Sequence, residues 1–537
     1  MSVTKNGPSY LEALSDNIVV DPQKCIYCGK CADTCILDNI RLQLAPCRQA
    51  CPLHTNCQGY VQLIARRDDQ KAMAVLAEGL PFPGIVGRVC SHPCESRCSL
   101  QEVDGQAVAI RDLKRYLADA VALPPVELGA PRAEQVAIVG GGPAGAMAAF
   151  ELRKAGFGVA LYDQHERLGG MLAVGVPEFR LPTSVLDQEM ALLERLGVGL
   201  HLGVQVGCDV PLADLVEHND AVLLATGAHV GKRLGVLNEG LPGVWEGLSF
   251  LRAARSAQKP PVGERVVVIG GGNTAVDCAQ TAHRLGAREV RLVCLEQRQE
   301  MPAFAWEVED ALEEGILVDN GWGPTAFAGN GQVAGVALRR CLRVFDKDGR
   351  FAPTFNDGDA RRVAADTVVV AIGQGADLSY LEGTVESPGN WLRADSTTWQ
   401  LQGKVFAAGD AATGPKTVVE ALAAGREAAE SIRRYLSGED LTYDRNYFAH
   451  YETEFAVDKS AAVERVRVAP QKAADAARRT FAELQAGMSE AEARSEAGRC
   501  LSCGEAYGKF RNCWFCLPCE IECPERALRV EIPYLLR

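Results

Sequence analysis

No apolar run in the 537-residue sequence approaches the roughly 18 residues needed to span a bilayer. Its opening residues, MSVTKNGPSYLEALSD, carry neither the apolar stretch nor the cleavage site of a secretory leader. Both absences point to a chain that stays in a reducing cytoplasm without membrane partners. Positive charge is also short. Lys and Arg number 56 against 69 Asp and Glu, a net charge of -13. Binding a nucleic-acid backbone needs clustered cations that displace counterions, so that partner class is excluded. Apolar residues at 47% and charged residues at 23% are ordinary for a globular protein. The length exceeds one hydrophobic core, which predicts three or four domains.

Cysteine is plentiful and unevenly placed. Of 20 cysteines, ten lie between Cys25 and Cys98 and six between Cys500 and Cys523. A disulfide scaffold belongs to small secreted chains, so clustered thiols here read as metal ligands. Two runs have the bacterial ferredoxin spacing, Cys25-x2-Cys28-x2-Cys31-x3-Cys35 and Cys513-x2-Cys516-x2-Cys519-x3-Cys523-Pro524. In that pattern three close thiolates grip one [4Fe-4S] cube and the fourth usually serves another. The first run has Ile36 where the customary proline would follow. Cys500-x2-Cys503 adds two thiols near the second run. Cys208, Cys278, Cys294 and Cys341 are expected to be buried small hydrophobes.

The middle of the chain repeats one grammar. A buried strand, Gln135–Val139, meets the turn Gly140-Gly141-Gly142-Pro143-Ala144-Gly145, then a helix to about Lys154 and a strand Gly158–Tyr162. In this GxGxxG pattern Gly140 permits the turn, the second glycine position, Gly142, lets the backbone approach a pyrophosphate, and Gly145 allows close helix–strand packing. Pro143 and Ala144 open the helix whose N-terminus faces the anion. Asp163 follows the second strand, placed to bond ribose hydroxyls. The pattern recurs at Arg265–Ile269, with Gly270-Gly271-Gly272-Asn273-Thr274-Ala275 and a strand ending near Leu295-Glu296. A carboxylate at Glu296 would hold the free ribose hydroxyls of NAD and repel the extra phosphate of NADP. Further strands are expected at Asn17–Val20, Ala221–Ala225, Thr367–Ile372 and Lys404–Ala408. Residues 46–130, 415–436 and 471–498 read as helical, and Leu123–Glu134 as a linker.

These and further motifs resemble the glutamate synthase small subunit and its relatives, including the N-terminal half of dihydropyrimidine dehydrogenase. The motifs are "APCRQACP" (45–52), "GRVCSHPCESRC" (87–98), "VAIVGGGPAGAMAA" (136–149), "LGGMLAVGVPEFRLP" (168–182), "LLATGA" (223–228), "VVVIGGGNTAVDCA" (266–279), "EMPA" (300–303), "AIGQ" (371–374) and "VFAAGD" (405–410). The resemblance implies an α/β fold of two Rossmann-like domains, glutathione reductase-like, with the NAD domain inserted in the FAD domain. A helical iron–sulfur domain and ferredoxin-like terminal segments would flank it. The implied boundaries are 1–45, 46–130, 131–241, 242–363, 364–445 and 446–537.

By the same resemblance the first turn holds FAD and the second the nicotinamide cofactor. Gly170, Met171, Arg180, Thr226, Gly227, Gly409 and Asp410 would contact cofactor, as would Gly373. The helix starting near Thr417 would aim its positive end at the flavin ring. NADP-using members usually carry two arginines where this chain has Leu295 and Glu296. Cys47, Cys51, Cys90, Cys94 and Cys98 resemble the family's N-terminal cluster ligands, and Cys57 is an extra candidate. In the family a Cys-x2-Cys pair precedes the "APC" motif, whereas here it does not, which leaves the ligand partition open.

The expectation is therefore an NADH:acceptor flavoprotein subunit with FAD, NAD(H) and three or four [4Fe-4S] clusters. Hydride transfer needs stacked rings rather than a base, so no catalytic acid, base or nucleophile is named. The partner would be another iron–sulfur or catalytic redox subunit, such as a 2-oxoacid:acceptor oxidoreductase or a glutamate synthase large subunit, or ferredoxin. Electron bifurcation and a non-catalytic electron-carrying linker are the alternatives, and the direction of electron flow stays open.

Overall fold

A computed structural model describes residues 18–21, 23–36, 39–256, 258–386, 389–448, 451–459, 480–508, 513 and 515–531. The polar residues 1–17 and part of the expected helix at 471–498 lie outside these. The chain divides into two compact units.

The larger unit takes in residues 127–441 and 472–486 and holds two open sheets. The first has six strands in the order Gln400–Gln402, Val405–Ala407, Ala221–Leu224, Gln135–Val139, Gly158–Asp163, Gly199–Leu202. All neighbours pair in parallel except the first two. The second is five-stranded and wholly parallel: Leu317–Asn320, Glu289–Cys294, Arg265–Ile269, Thr367–Val370, Val244–Glu246. The central strands Gln135–Val139 and Arg265–Ile269 are buried at four successive positions each. That is the continuous apolar run of a sheet covered on both faces. The chain leaves the first sheet after Leu224 and returns through Gln374–Gly375, which pairs antiparallel with Val230–Gly231. Everything between these crossing strands, including an antiparallel meander over Trp322–Ala364, is an insertion. The fold is thus two dinucleotide-binding domains, one set inside the other.

Helix Val418–Ser437 covers the first sheet together with Pro143–Lys154. It begins with a capping box, Thr417 and Glu420 bonding each other's backbone amides, and ends at Gly438 with φ +69°.

The smaller unit takes in residues 1–126, 442–471 and 487–537. Short helices, among them Pro46–Ala50, Cys57–Ala65, Asp69–Ala77, Pro83–Val89 and Ile110–Ala120, surround the middle cysteines. The C-terminal helix Glu490–Ala497 joins them. Its buried Glu496 accepts from the Ala109 amide at 2.8 Å and from Arg499 at 2.7 Å. The helix expected over 471–498 is shorter than composition suggested. Residues 480–489 run in bends and extended chain, and the capping box of Ser489 and Glu492 starts the helix.

The remainder is a two-fold ferredoxin body assembled from distant segments. Ile18–Val20 pairs antiparallel with Leu528–Val530, and Ile40–Gln43 with Ala506–Gly508. The register Ile18↔Val530 has its counterpart in Leu42↔Ala506, as two equivalent halves exchanging strands require.

Candidate functional site

The first glycine turn lies at the carboxyl end of the central strand, where open parallel sheets bind ligands. Gly140 has φ +106°, and a Cβ there would sit 2.3 Å from the Ala225 carbonyl oxygen. A Cβ on Gly145 would meet the Gly140 oxygen at 1.9 Å. Only glycine fits either position. The turn is held by Asp163, 7% exposed. Its Oδ2 accepts from the Gly141 amide at 2.7 Å and its Oδ1 from the His165 amide at 2.8 Å.

Around this turn opens a cleft. Of the residues singled out from sequence, Gly140, Gly142, Pro143, Ala144, Asp163, Gly170, Met171, Thr226, Gly227, Gly409, Asp410 and Thr417 line it. Asp410 accepts from the Lys416 amide at 3.1 Å, and burial pushes its carboxyl up to about 6. The amides of Val418 and Val419 follow Thr417 with no acceptor inside the helix, so the positive end of Val418–Ser437 opens on this cleft.

Sequence reading missed His165, His229, Tyr380 and Lys416, which also line the cleft. Tyr380 reaches the Thr226 hydroxyl at 3.1 Å, and burial raises its phenol to about 12. No local motif marks these side chains; they arrive from loops fixed by the sheet. His165 Nε2 is buried with no hydrogen-bond partner among the described residues. An orphaned donor or acceptor beside a glycine cradle and a carboxylate fits a nucleotide cofactor.

Arg180 does not line the cleft. It pairs with Asp277 at 2.7 Å and with Glu307, against helices of the inserted domain. Burial opposes its charge, but the two carboxylates hold the guanidinium protonated.

The second turn repeats the first. Gly270 has φ +145°, and a Cβ on Gly272 would meet nothing within 4 Å, which leaves an open cradle at the start of helix Asn273–Arg284. Ala275 in the third position is fully buried. Glu296 Oε2 lies where a Cβ on Gly271 would meet it at 2.7 Å, the relation Asp163 has to Gly141. Burial raises the Glu296 carboxyl. The "EMPA" loop closes on the turn, Ala303 donating to the Gly271 oxygen at 3.0 Å. Asn273 accepts from the Phe304 amide at 3.2 Å and donates to Glu307 at 2.7 Å, so its side chain is already engaged. The Thr274 hydroxyl accepts from Gln374 at 3.3 Å. Gly373 accepts from the Lys232 amide at the crossing strands.

In the smaller unit the sixteen clustered thiols are all free. Cys25, Cys28, Cys31 and Cys523 line one cavity. Cys35 faces Cys513, Cys516 and Cys519. Each ferredoxin run thus lends its fourth thiol to the other. The halves match locally. The Tyr27 amide donates to Cys25 Sγ and that of Phe515 to Cys513 Sγ, both at 3.4 Å. Asn39 and Ala527 donate to Cys35 and Cys523 at 3.3 and 3.2 Å. Tyr27 and Phe515 both have φ +57°. Backbone amides aimed at sulfur favour the thiolate, the form that binds iron. Ile36, in the proline position, is 72% exposed.

Cys47, Cys57, Cys98, Cys500 and Cys503 line a second cavity. The pair expected upstream of "APC" is supplied from the C-terminal segment. Cys51, Cys90 and Cys94 lie together nearby. No three His, Cys, Asp or Glu side chains among the described residues close around a single metal ion. A cube holds its thiolates further apart than one ion does. Cys278, Cys294 and Cys341 are buried as expected, but Cys208 is exposed. It lies in the turn between the bridged residues Val206 and Val210, on the surface rather than in the core.

Fold and site together define an FAD-dependent oxidoreductase with an NAD(P) domain and iron–sulfur centres. Residues 134–425 match the family described as Pyridine nucleotide-disulphide oxidoreductase. Residues 9–123 match Dihydroprymidine dehydrogenase domain II, 4Fe-4S cluster. The chain is 37% identical over 498 residues to the NADP(+)-dependent formate dehydrogenase subunit beta of Moorella thermoacetica, covering 86% of this chain and 70% of that one. It is 34% identical over 417 residues to the Glutamate synthase [NADPH] small chain of Azospirillum brasilense, covering 72% and 86%. It is also 34% identical over 401 residues to the NAD-dependent dihydropyrimidine dehydrogenase subunit PreT of Escherichia coli, covering 73% and 92%. The chain belongs to the glutamate synthase small chain-like family of NAD(P)H-dependent FAD and iron–sulfur oxidoreductases. Among the described residues no helix is long and apolar enough to cross a membrane.

Proposed function

We propose that the chain exchanges hydride with NAD(H) at the second glycine turn and passes electrons through FAD and four [4Fe-4S] clusters to or from a separate catalytic redox subunit. FAD in the first cleft would accept the electron pair of a hydride and release electrons singly to iron–sulfur centres. Gly140 and Gly142 leave room for its pyrophosphate, and Asp163 orients a ribose. Asp410 and the start of the helix at Thr417 hold the flavin end, the helix dipole favouring negative charge on the ring. Gly270 and Gly272 cradle the second dinucleotide, with Glu296 on its ribose.

The observation that carries this reading is the ferredoxin body built from residues 18–43 and 506–530 in a chain that also holds two glycine-turn sheets. A second reading, NADP in place of NAD, is favoured by Arg298, two residues beyond Glu296 and half-buried. Anaerobic titration of the purified chain with NADH and with NADPH, followed by visible absorbance and EPR, tests both. Bleaching of the flavin and reduction of the clusters by NADH is expected. A chain that binds flavin yet is reduced by neither nucleotide overturns the proposal.

A further inference from the structure

The chain passes between the two dinucleotide domains at the short crossing strands Val230–Gly231 and Gln374–Gly375. A connection this slight works as a hinge, so contacts away from it decide how the domains are held. One such contact comes from the loop of the first domain that carries Phe179 and Arg180. The Phe179 ring is buried, with the Arg284 guanidinium 3.8 Å from its centroid. Arg284 closes helix Asn273–Arg284 and pairs with Glu314, both side chains buried. Arg180, the next residue of the loop, reaches Asp277 on the same helix. Two adjacent residues of the first domain thus grip the nucleotide-facing helix of the second.

A third segment meets this grip. Residues 480–486 belong to the larger unit, although the chain from residue 487 onward belongs to the smaller. They lie beyond residues 134–425, which match the oxidoreductase family. The Leu484 amide donates to the Phe179 carbonyl at 2.8 Å, and so holds the peptide that joins Phe179 to Arg180. The Phe481 ring lies 6.4 Å from that of Phe179, within the range where aromatic pairs attract. The Lys259 ammonium, from the second domain, stands 3.4 Å from the Phe481 centroid, close enough for a cation–π contact. Phe481 therefore touches both domains.

We infer that Phe481 is a positioning residue for hydride transfer, on a strap of residues 480–486 that fixes the second domain on the first. Phe481 acts through Phe179 and Lys259, and the Leu484 amide anchors the strap. Loss of the ring frees one fastening of helix Asn273–Arg284, and transfer falls steeply when reacting groups are misplaced. The same stretch of chain runs on to helix Glu490–Ala497 and to Cys500 and Cys503, so it serves both the dinucleotide domains and the thiol sets. This inference rests on the reading that NADH reduces a flavin held in the first cleft.

The test uses the full chain, loaded with FAD and purified without oxygen, as wild type, Phe481→Ala, Phe481→Tyr and Lys259→Ala. Stopped-flow reduction by NADH gives the limiting rate and the apparent Kd separately. Dithionite reduces the same flavin without the second domain. Phe481→Ala should keep its FAD and hold its apparent Kd within about twofold, while the limiting rate falls about tenfold. Lys259 is exposed, and Lys259→Ala should lower the rate by a smaller factor. Phe481→Tyr keeps the ring and should keep the wild-type rate. Reduction by dithionite should be the same in all four. An unchanged limiting rate in Phe481→Ala overturns the inference, and so does an equal slowing with dithionite, which would place the effect at the flavin pocket. If Phe481→Ala does not fold, Lys259→Ala decides, and a wild-type rate there overturns the inference. A wild-type chain that NADH does not reduce would sink the functional reading itself, and the inference with it.

Discussion

Arg180 donates to Asp277 at 2.7 Å across the junction between the two dinucleotide domains. The same guanidinium bonds Glu307, whose other oxygen accepts from Asn273 at the second glycine turn. A loop of the first domain is thereby tied to the residue that opens the nucleotide-facing helix of the second. Arg255 adds a bond to the Thr183 hydroxyl at 3.0 Å close by. Hydride transfer between two stacked rings depends on how these domains are held, and this network holds them.

Arg180→Ala should therefore retain FAD while slowing flavin reduction by nucleotide about tenfold, since small misplacements of reacting groups are costly. Stripping one partner from a buried pair should also lower stability by about 3 kcal/mol. Stopped-flow reduction and thermal melting check the two effects. A variant with less FAD but a normal rate constant for hydride transfer would show that Arg180 serves the flavin pocket after all.

Deleting residues 506–537 should cost about eight irons rather than about four, because Cys523 completes the set at Cys25, Cys28 and Cys31 while Cys35 loses its three companions. Cys500 and Cys503 remain in such a chain, so the cavity they share with Cys47 and Cys98 keeps its thiols. Iron analysis checks this. Loss of only about four irons would mean that each run keeps its own fourth thiol.

What could be read from sequence was local. The glycine turns, Asp163 at its strand end and the Cys-x2-Cys-x2-Cys runs carry their chemistry in the spacing, and the folded chain keeps that spacing. What escaped was long-range. Nothing near Ile18 announces its pairing with Val530, and nothing near Cys47 announces that its missing neighbours are Cys500 and Cys503. Arg180 shares a motif with cleft residues, yet a long side chain can leave the site its backbone borders, and two carboxylates drew it away. Residues 480–489 have helix-forming composition, but a helix starts where a cap stands, and Ser489 is that cap.

Glu296→Arg should shift nucleotide preference toward NADPH by about tenfold or more, equivalent to about 1.4 kcal/mol or more. The carboxylate lies beside the second turn as Asp163 lies beside the first, and reversing its charge removes a repulsion and adds a phosphate partner. The ratio of kcat/KM for NADH and NADPH with an artificial dye checks this. An unchanged ratio would assign cofactor choice to another residue, with Arg298 the first to replace.

His229 gives the cleft a pH dependence with a definite sign. Its ring lies 6.1 Å from that of His165. Burial, with the positive charge of Arg252 and the neighbouring His165, pushes its imidazole down to about 4, and Asp163 only partly offsets this. Between the ordinary value of 6.5 and about 4 the unfolded chain binds a proton at His229 that the folded chain refuses. Stability from this group is thus complete above pH 6.5 and is lost as the pH falls toward 4. Asp410 works in the opposite direction. Its carboxyl, raised from 3.8 to about 6 by burial, keeps a proton in the folded state that the unfolded chain has released, so acidification through that window favours folding. The two nearly cancel in the wild type between pH 6 and 4. His229→Gln keeps a hydrogen-bonding side chain of similar reach without titrating, and should remove the slope that opposes Asp410. The variant's melting temperature, measured on the ligand-free chain from pH 7 to 4.5, should then hold up better than wild type as the pH falls. Parallel curves for the two proteins would place the acid response elsewhere in the fold.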